Sequence, residues 1–350
     1  MELMDGMPDP RTYSSLMEAE AGEAGAVVRR MLAANRETFE QIGERLRASP
    51  PTGVISCARG SSDHAATYAK YLIETMTGTP TASAALSVAS VYEAPVVPGN
   101  RLCLAISQSG KSPDLLASVR QQRAAGAYVV ALINAEDAPL AEIADAVIAL
   151  SAGPEKSVAA TKSYIASLAA IAALVAAWTR DPDLGAALDA LPAELERAFA
   201  LDWSAGVDLL KPAANLFVLG RGLGLGIAQE AALKFKETCA LHAEAFSAAE
   251  VRHGPMAIVD ADFYILAFGG NDPAGASVRE TVSDFRGRGA RLLLADPGSD
   301  DADLPTLTLH PALEPIAMVQ SFYRMANALS LARGCDPDSP PHLNKVTKTL

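Results

Sequence analysis

Basic charge is scarce in this chain. Among its 350 residues, 29 Lys and Arg face 41 Asp and Glu, a formal net charge of −12. A nucleic-acid surface needs clustered cations, so no nucleic-acid partner is expected. Cysteine is sparse too: Cys57, Cys103, Cys239 and Cys335 are widely spaced, and the first three sit in apolar runs. They read as small buried hydrophobes in a reducing compartment, neither a disulfide framework nor a zinc site. The opening Met1-Glu2-Leu3-Met4-Asp5 has acid where a signal peptide carries Lys or Arg, which makes the cytoplasm the expected location. The uncharged stretch 163–178 is short for a membrane span and dominated by Ala, so a buried helix is expected and no membrane partner. Nucleotide motifs are missing as well. There is no Gly-Lys-Ser/Thr of a P-loop, and Gly220-Arg221-Gly222-Leu223-Gly224 does not fit G-x-G-x-x-G. His242 and Glu244 do not make a zinc signature, so neither a metal nor a cofactor is expected.

What is present is a strand, a hydroxyl-rich turn and a helix start. The apolar run Leu102-Cys103-Leu104-Ala105-Ile106 leads into Ser107-Gln108-Ser109-Gly110, and Pro113-Asp114-Leu115-Leu116 opens a helical pattern after Ser112. The unpaired N–H groups of a first helical turn, with the hydroxyls of Ser107, Ser109 and Ser112, form a cradle for a phosphate monoester. Serine is also a favoured N-cap for reasons unrelated to ligands, so the local pattern leaves both readings open.

The first half alternates apolar runs at 53–58, 102–106, 128–133 and 146–150 with helical patterns at 63–74, 113–124 and 158–178. Runs that are apolar at nearly every position predict parallel strands covered on both faces. The second half repeats the plan, with strands at 216–219, 264–268, 291–295 and 304–309 and helices at 225–239, 274–288 and 316–333. Gly60 and Gly220 are 160 residues apart, as are Gly110 and Gly270. The repeated offset predicts two tandem doubly wound α/β domains with parallel sheets. The expected division is an N-terminal helical segment 1–35, domains at 36–190 and 191–338, and a tail at 339–350. Ligands of such sheets bind beyond the carboxyl ends of the strands, where the two halves differ. The first keeps hydroxyls; the second has Gly220-Arg221-Gly222 and Gly269-Gly270-Asn271.

Glu230, Lys234 and Glu237 recur at helical spacing and share one stripe. A solvated salt-bridge face is the plain reading; the functional one makes Glu237 a general base set by burial and by the Lys234 ammonium. His253, followed by Gly254-Pro255, is a candidate acid/base near neutral pH or a structural loop histidine. The tail Pro340-Pro341-His342-Leu343-Asn344-Lys345 has the composition of a frayed end, yet a lysine returning to a semi-enclosed site could lose its proton and form a Schiff base with a sugar carbonyl.

Taken together, Gly60-Ser61-Ser62, Ser107-Gln108-Ser109-Gly110 with Ser112, Val158-Ala159-Ala160-Thr161-Lys162, Ala232-Leu233-Lys234-Phe235-Lys236-Glu237, His242-Ala243-Glu244-Ala245, Glu250-Val251-Arg252-His253-Gly254-Pro255 and Asn344-Lys345 resemble the sugar isomerase (SIS) family. The match runs from about Met17 to the C-terminus and is strongest to the tandem, flavodoxin-like isomerase half of glutamine–fructose-6-phosphate aminotransferases. The resemblance implies that Ser107, Gln108, Ser109 and Ser112 hold a sugar phosphate, with Ser61, Ser62, the backbone at Val158 and Asn344 lining the sugar. It implies that Glu237 moves a proton between the first two sugar carbons, that Lys234 assists, and that Lys345 is a Schiff-base lysine. It further implies a homodimer in which His253 reaches in from a neighbouring subunit to open the ring. The substrate would be a hexose 6-phosphate or an amino-hexose 6-phosphate.

Two departures redirect the expectation. Lys111 stands where an acid usually follows Ser-Gln-Ser-Gly, and Arg59 precedes Gly60-Ser61-Ser62 where the synthases have a small residue. The opening Met1-Glu2-Leu3 is also unlike a glutaminase domain, which begins with a nucleophilic Cys after Met. The chain is therefore similar to stand-alone SIS-type glucosamine-6-phosphate deaminases. The other expectations kept open are a sugar-phosphate isomerase, an ammonia-dependent synthase without glutaminase, and a non-catalytic phosphosugar-binding regulator.

Overall fold

Nine short strands, most of them apolar, pair into two parallel sheets, described in a computed structural model for residues 14–135, 137–343 and 345. In chain order the strands are β1 (Val54–Cys57), β2 (Thr81–Ser83), β3 (Leu102–Ser107), β4 (Tyr128–Ile133) and β5 (Ala146–Ala149), then β6 (Asn215–Gly220), β7 (His242–Ser247), β8 (Tyr264–Phe268) and β9 (Arg291–Ala295). The first sheet runs β2-β1-β3-β4-β5 and the second β7-β6-β8-β9. Four strands thus follow one order twice, with every pairing parallel. The duplicated glycine spacing is explained: Gly60 follows β1 as Gly220 ends β6, and Gly110 follows β3 as Gly270 follows β8.

The chain divides into two compact units, and they are interleaved. One holds the described residues of Val28–Gly153 with Ala166–Ala190; the other holds those up to Val27, Pro154–Ile165 and Leu191–Lys345. In the first, every residue of β3 is buried, and β3 and β4 share a core with Leu115, Leu116 and Val119 of the Pro113–Ala124 helix. Burial of a Leu, Val or Ile side chain contributes roughly 1.5–3 kcal/mol, which holds these strands centrally. In the second unit Phe217, Leu219, Ile265 and Ala267 pack with Val278, Val282 and Phe285 of the Gly275–Gly287 helix. The Phe235 and Phe322 rings meet edge to face at 5.2 Å, joining the Gly224–Cys239 and Glu314–Ala332 helices.

Three local expectations are corrected. The run at 304–309 is not a strand: Leu304 makes an isolated bridge to Ala295, and Pro305 has no N–H with which to extend the pairing. The helix expected from 158 begins at Lys162, because residues 158–161 form a loop that precedes it. Edge strands β2 and β7 were not anticipated; β2 has three residues and β7 is polar at alternate positions. The Lys162–Thr179 helix is long and apolar enough to cross a membrane, and 89% of its most apolar window is buried inside the protein, as expected of a core helix.

Candidate functional site

In the first-sheet unit, the carboxyl ends of β1 and β3 carry the hydroxyl-rich turns. Ser61 and Ser62 open the Ser61–Thr77 helix behind Gly60, whose φ of 55° lies in the left-handed region. Ser107 ends β3, and its Oγ accepts the Gly110 N–H at 2.9 Å. Gln108 and Ser109 are partly exposed at the tip of the turn. Gly110 has no substitute here: φ is +61°, and an added Cβ would lie 2.4 Å from Ile133 Cδ1 and 2.8 Å from Ala138 Cβ. Ser112 sits at the N-cap of the Pro113–Ala124 helix, yet its side chain makes no capping hydrogen bond. The Ser112 hydroxyl thus does not serve as the helix cap, whereas the Ser107 hydroxyl is engaged within the turn. Arg59 Nε and Nη2 both donate to one oxygen of Asp114, at 2.9 and 2.7 Å, so the turn after β1 is tied to the first turn of that helix. Lys111 is exposed.

In the second-sheet unit, the stripe on the Gly224–Cys239 helix is not a solvated face. Glu230 and Lys234 are 0% and 1% exposed, whereas the Glu237 side chain keeps 22% exposure. Lys234 Nζ lies 3.1 Å from Glu230 Oε1 and donates to Glu237 Oε2 at 2.6 Å. The Tyr323 hydroxyl donates to Glu230 at 3.0 Å. Burial pulls the Lys234 pKa down, but the two carboxylates outweigh it and the net shift is upward. Lys234 is therefore a fixed ammonium, and Glu237 is a partly accessible carboxyl group in direct contact with it. A proton acceptor of this kind suits transfer at carbon next to a carbonyl. His253 is exposed at the end of the 3-10 turn Glu250–His253, which follows β7.

The same unit contains the loop preceding the Lys162–Thr179 helix. The Val158 N–H donates to the Asp338 carbonyl at 3.3 Å. Lys345 has returned from the tail: its Nζ donates to the Ser157 carbonyl at 2.7 Å and to Glu155 Oε2 at 3.4 Å. Asn344 lies outside the described residues. Sequence reasoning missed Glu155, which is buried, and Glu20, whose carboxylate accepts the Lys156 and Ser157 N–H groups. The available signal was an acid just before the Val158-Ala159-Ala160-Thr161-Lys162 signature. Among the described residues, no group of three or more His, Cys, Asp or Glu is arranged to hold a metal ion.

The SIS domain model matches twice, over residues 53–177 and 209–332. This chain belongs to the SIS domain family. Its two SIS copies coincide with the two sheets. Among curated relatives, the glutamine–fructose-6-phosphate aminotransferase [isomerizing] of Aeropyrum pernix is 32% identical over 338 residues, covering 89% of this chain and 54% of that protein. The chain thus spans about half the length of that relative. Among solved structures, a Silicibacter pomeroyi DSS-3 protein assigned as a phosphosugar isomerase is 41% identical with a TM-score of 0.89, covering 93% of this chain and 100% of that one. The C-terminal domain of the Francisella tularensis glucosamine-fructose-6-phosphate aminotransferase is 25% identical with a TM-score of 0.84, over 95% and 100% of the two chains.

Proposed function

We propose that this SIS protein is a phosphosugar isomerase that catalyses the isomerising deamination of an amino-hexose 6-phosphate, with glucosamine 6-phosphate and water giving fructose 6-phosphate and ammonia. The observation that carries the reading is the Glu230–Lys234–Glu237 group, in which the buried Lys234 is held between two carboxyl groups and one of them, Glu237, stays accessible. Isomerisation needs such a base and no redox step.

In this reading Ser107, Gln108, Ser109 and Ser112 take the phosphate, and Ser61, Ser62, Val158 and Asn344 line the sugar. His253 opens the ring and, by the family resemblance, comes from the second chain of a cytoplasmic homodimer. Glu237 then removes the proton from the carbon bearing nitrogen, carries it as a neutral acid and delivers it to the neighbouring carbon, while the Lys234 ammonium pairs with the carboxylate before and after the transfer. The resulting ketimine is broken by water or exchanged onto Lys345, releasing ammonia. Release in preference to incorporation follows the resemblance to stand-alone SIS-type deaminases, with Arg59 and Lys111 as departures from the synthase pattern.

The test is ammonia production from glucosamine 6-phosphate. Ammonia together with fructose 6-phosphate supports the proposal, whereas turnover of another hexose phosphate without ammonia identifies an isomerase instead. Glu237→Gln is expected to lower kcat roughly 10²- to 10⁴-fold. Phosphosugar affinity should stay nearly unchanged. An unaltered kcat would remove Glu237 from the chemistry, and binding without any turnover in the parent chain would point to a phosphosugar-binding regulator.

A further inference from the structure

We propose that Glu155 is the positioning residue of Lys345, holding its ammonium on the loop before the Lys162–Thr179 helix and storing its proton while the amine attacks a sugar carbonyl. This rests on the reading of Lys345 as a Schiff-base lysine given above.

The Glu155 side chain is completely buried, and one loop fixes it from several sides. Oε1 accepts the Thr161 N–H at 2.9 Å and the Ser163 N–H at 3.2 Å, while Oε2 accepts the Ser163 hydroxyl at 2.6 Å. A carboxylate so placed cannot follow a moving partner, but Lys345 can move, since its side chain keeps 24% exposure at the end of the tail. A buried carboxylate also requires a cation. The nearby Lys162 is engaged by Glu23 at 2.7 Å. Glu20, on the Leu16–Gly22 helix, brings a further carboxyl group to this loop; burial first and then the nearby Glu155 raise its pKa. Lys345 is the cation that answers Glu155.

Two further observations mark this as a place that receives a polar group. The hydroxyls of Ser157 and Thr161 belong to residues with 0% exposure, and among the described residues neither has a hydrogen-bond partner. Buried hydroxyls are ordinarily paired. These two flank the lysine seat, one on the residue whose carbonyl accepts Lys345 Nζ and the other on a residue whose amide holds Glu155.

The step balances. Lys345 starts as an ammonium and Glu155 as a carboxylate. One proton passes from Nζ to Oε2, and the amine lone pair forms a C–N bond as the carbonyl π pair moves onto oxygen. That oxygen takes a second proton from nitrogen and the stored one from Glu155, and leaves as water. The iminium remains on Lys345 and the carboxylate is restored, with no oxidant or reductant involved.

The experiment treats the full chain with fructose 6-phosphate and sodium borohydride and reads the reductively alkylated lysine by peptide mass spectrometry. The parent protein should be labelled at Lys345. Glu155→Gln should be labelled roughly 10²-fold more slowly. Its kcat on glucosamine 6-phosphate should fall in step while KM stays within about twofold, a split that loss of loop structure would not give. Where Glu155→Gln does not fold, Glu155→Asp keeps the charge but withdraws it from Nζ, and should still slow labelling. Labelling of the folded variant at the parental rate overturns the role of Glu155. Absence of label at Lys345 in the parent protein overturns the Schiff-base reading beneath it.

Discussion

The turns after β3 and β8 occupy the same place in two copies of one sheet, and they have diverged in opposite directions. After β3, the Ser112 hydroxyl is left out of the helix cap. After β8, the 160-residue offset sets Asn271 against Lys111 and Asp272 against Ser112, and both are engaged by the protein itself. The Asn271 N–H donates to Glu314 Oε2 at 2.9 Å and its side-chain amide to Oε1 at 2.6 Å. Asp272 Oδ1 accepts the Gly275 N–H at 3.1 Å. Side-chain carboxylates thus satisfy the backbone and the side chain of this turn from within the protein. The remaining cavity, bordered by Arg221, Asp272 and Glu314, measures about 10 Å³, room for roughly one water. Duplication preserved the frame of the sheet, because strand packing depends on the whole run of apolar residues. The turn was free to change, because its polar partners are set one residue at a time.

The comparison is broken most forcefully at its paired glycines. Gly110 combines a left-handed φ with a Cβ position inside Ile133 and Ala138, whereas a Cβ on Gly270 would meet Glu314 Oε2 at 3.4 Å, an ordinary contact. Gly110→Ala is therefore expected to cost on the order of 3 kcal/mol of stability. Gly270→Ala should cost less than about 1 kcal/mol, within the usual range for a tolerated substitution. Denaturant titrations of the two variants measure this directly. Equal losses would mean that the glycines survive for a shared reason and that the turns have not diverged as described.

The next effect separates affinity from stability. Ser112 does not cap its helix, so Ser112→Ala should leave the unfolding midpoint nearly unchanged while weakening phosphosugar binding roughly tenfold to a hundredfold, the worth of one hydrogen bond to a charged group. Asp272 does serve its helix, so Asp272→Ala should do the reverse: about 1 kcal/mol of stability and no change in affinity. Calorimetric titration with a hexose 6-phosphate alongside thermal unfolding of both variants distinguishes the roles. A Ser112→Ala protein that unfolds early but binds normally would return Ser112 to plain capping.

The frame was readable in the sequence where each strand is a continuous apolar run, as at Tyr128–Ile133 and Tyr264–Phe268, whose expected and observed bounds coincide. It was unreadable at the edges. Thr81–Ser83 has a single buried residue, and His242–Ser247 alternates in a way that chemistry-bearing loops also do. At 304–309 the apolar pattern misled, because one Pro outweighs it. The spacing of Glu230, Lys234 and Glu237 was equally plain, yet spacing cannot distinguish a wet stripe from a dry one. Dryness comes from Tyr323 on a helix about ninety residues away. Glu155 was hidden for the same reason, since its lysine partner lies 190 residues further along the chain.

The smallest effect tests whether the second turn really holds an anion of its own. Glu314 is 1% exposed, and burial raises its carboxyl above the ordinary 4.5, with the two Asn271 donors opposing the rise only in part. A group whose pKa is higher in the folded protein stabilises the fold most fully below its unfolded value, and loses that contribution as pH climbs through the folded one. Glutamine does not titrate, so the advantage of the parent over Glu314→Gln should be largest near pH 4 and shrink toward neutrality, with a difference of about 1 kcal/mol or less at pH 7. Thermal unfolding of both proteins across that interval supplies the measurement. The opposite slope, with the parent gaining on the variant as pH rises, would mean that the donors around Asn271 outweigh burial. The second turn would then be an anion seat as favourable as the first is proposed to be, and the two copies would differ in who occupies the seat rather than in how well it is built.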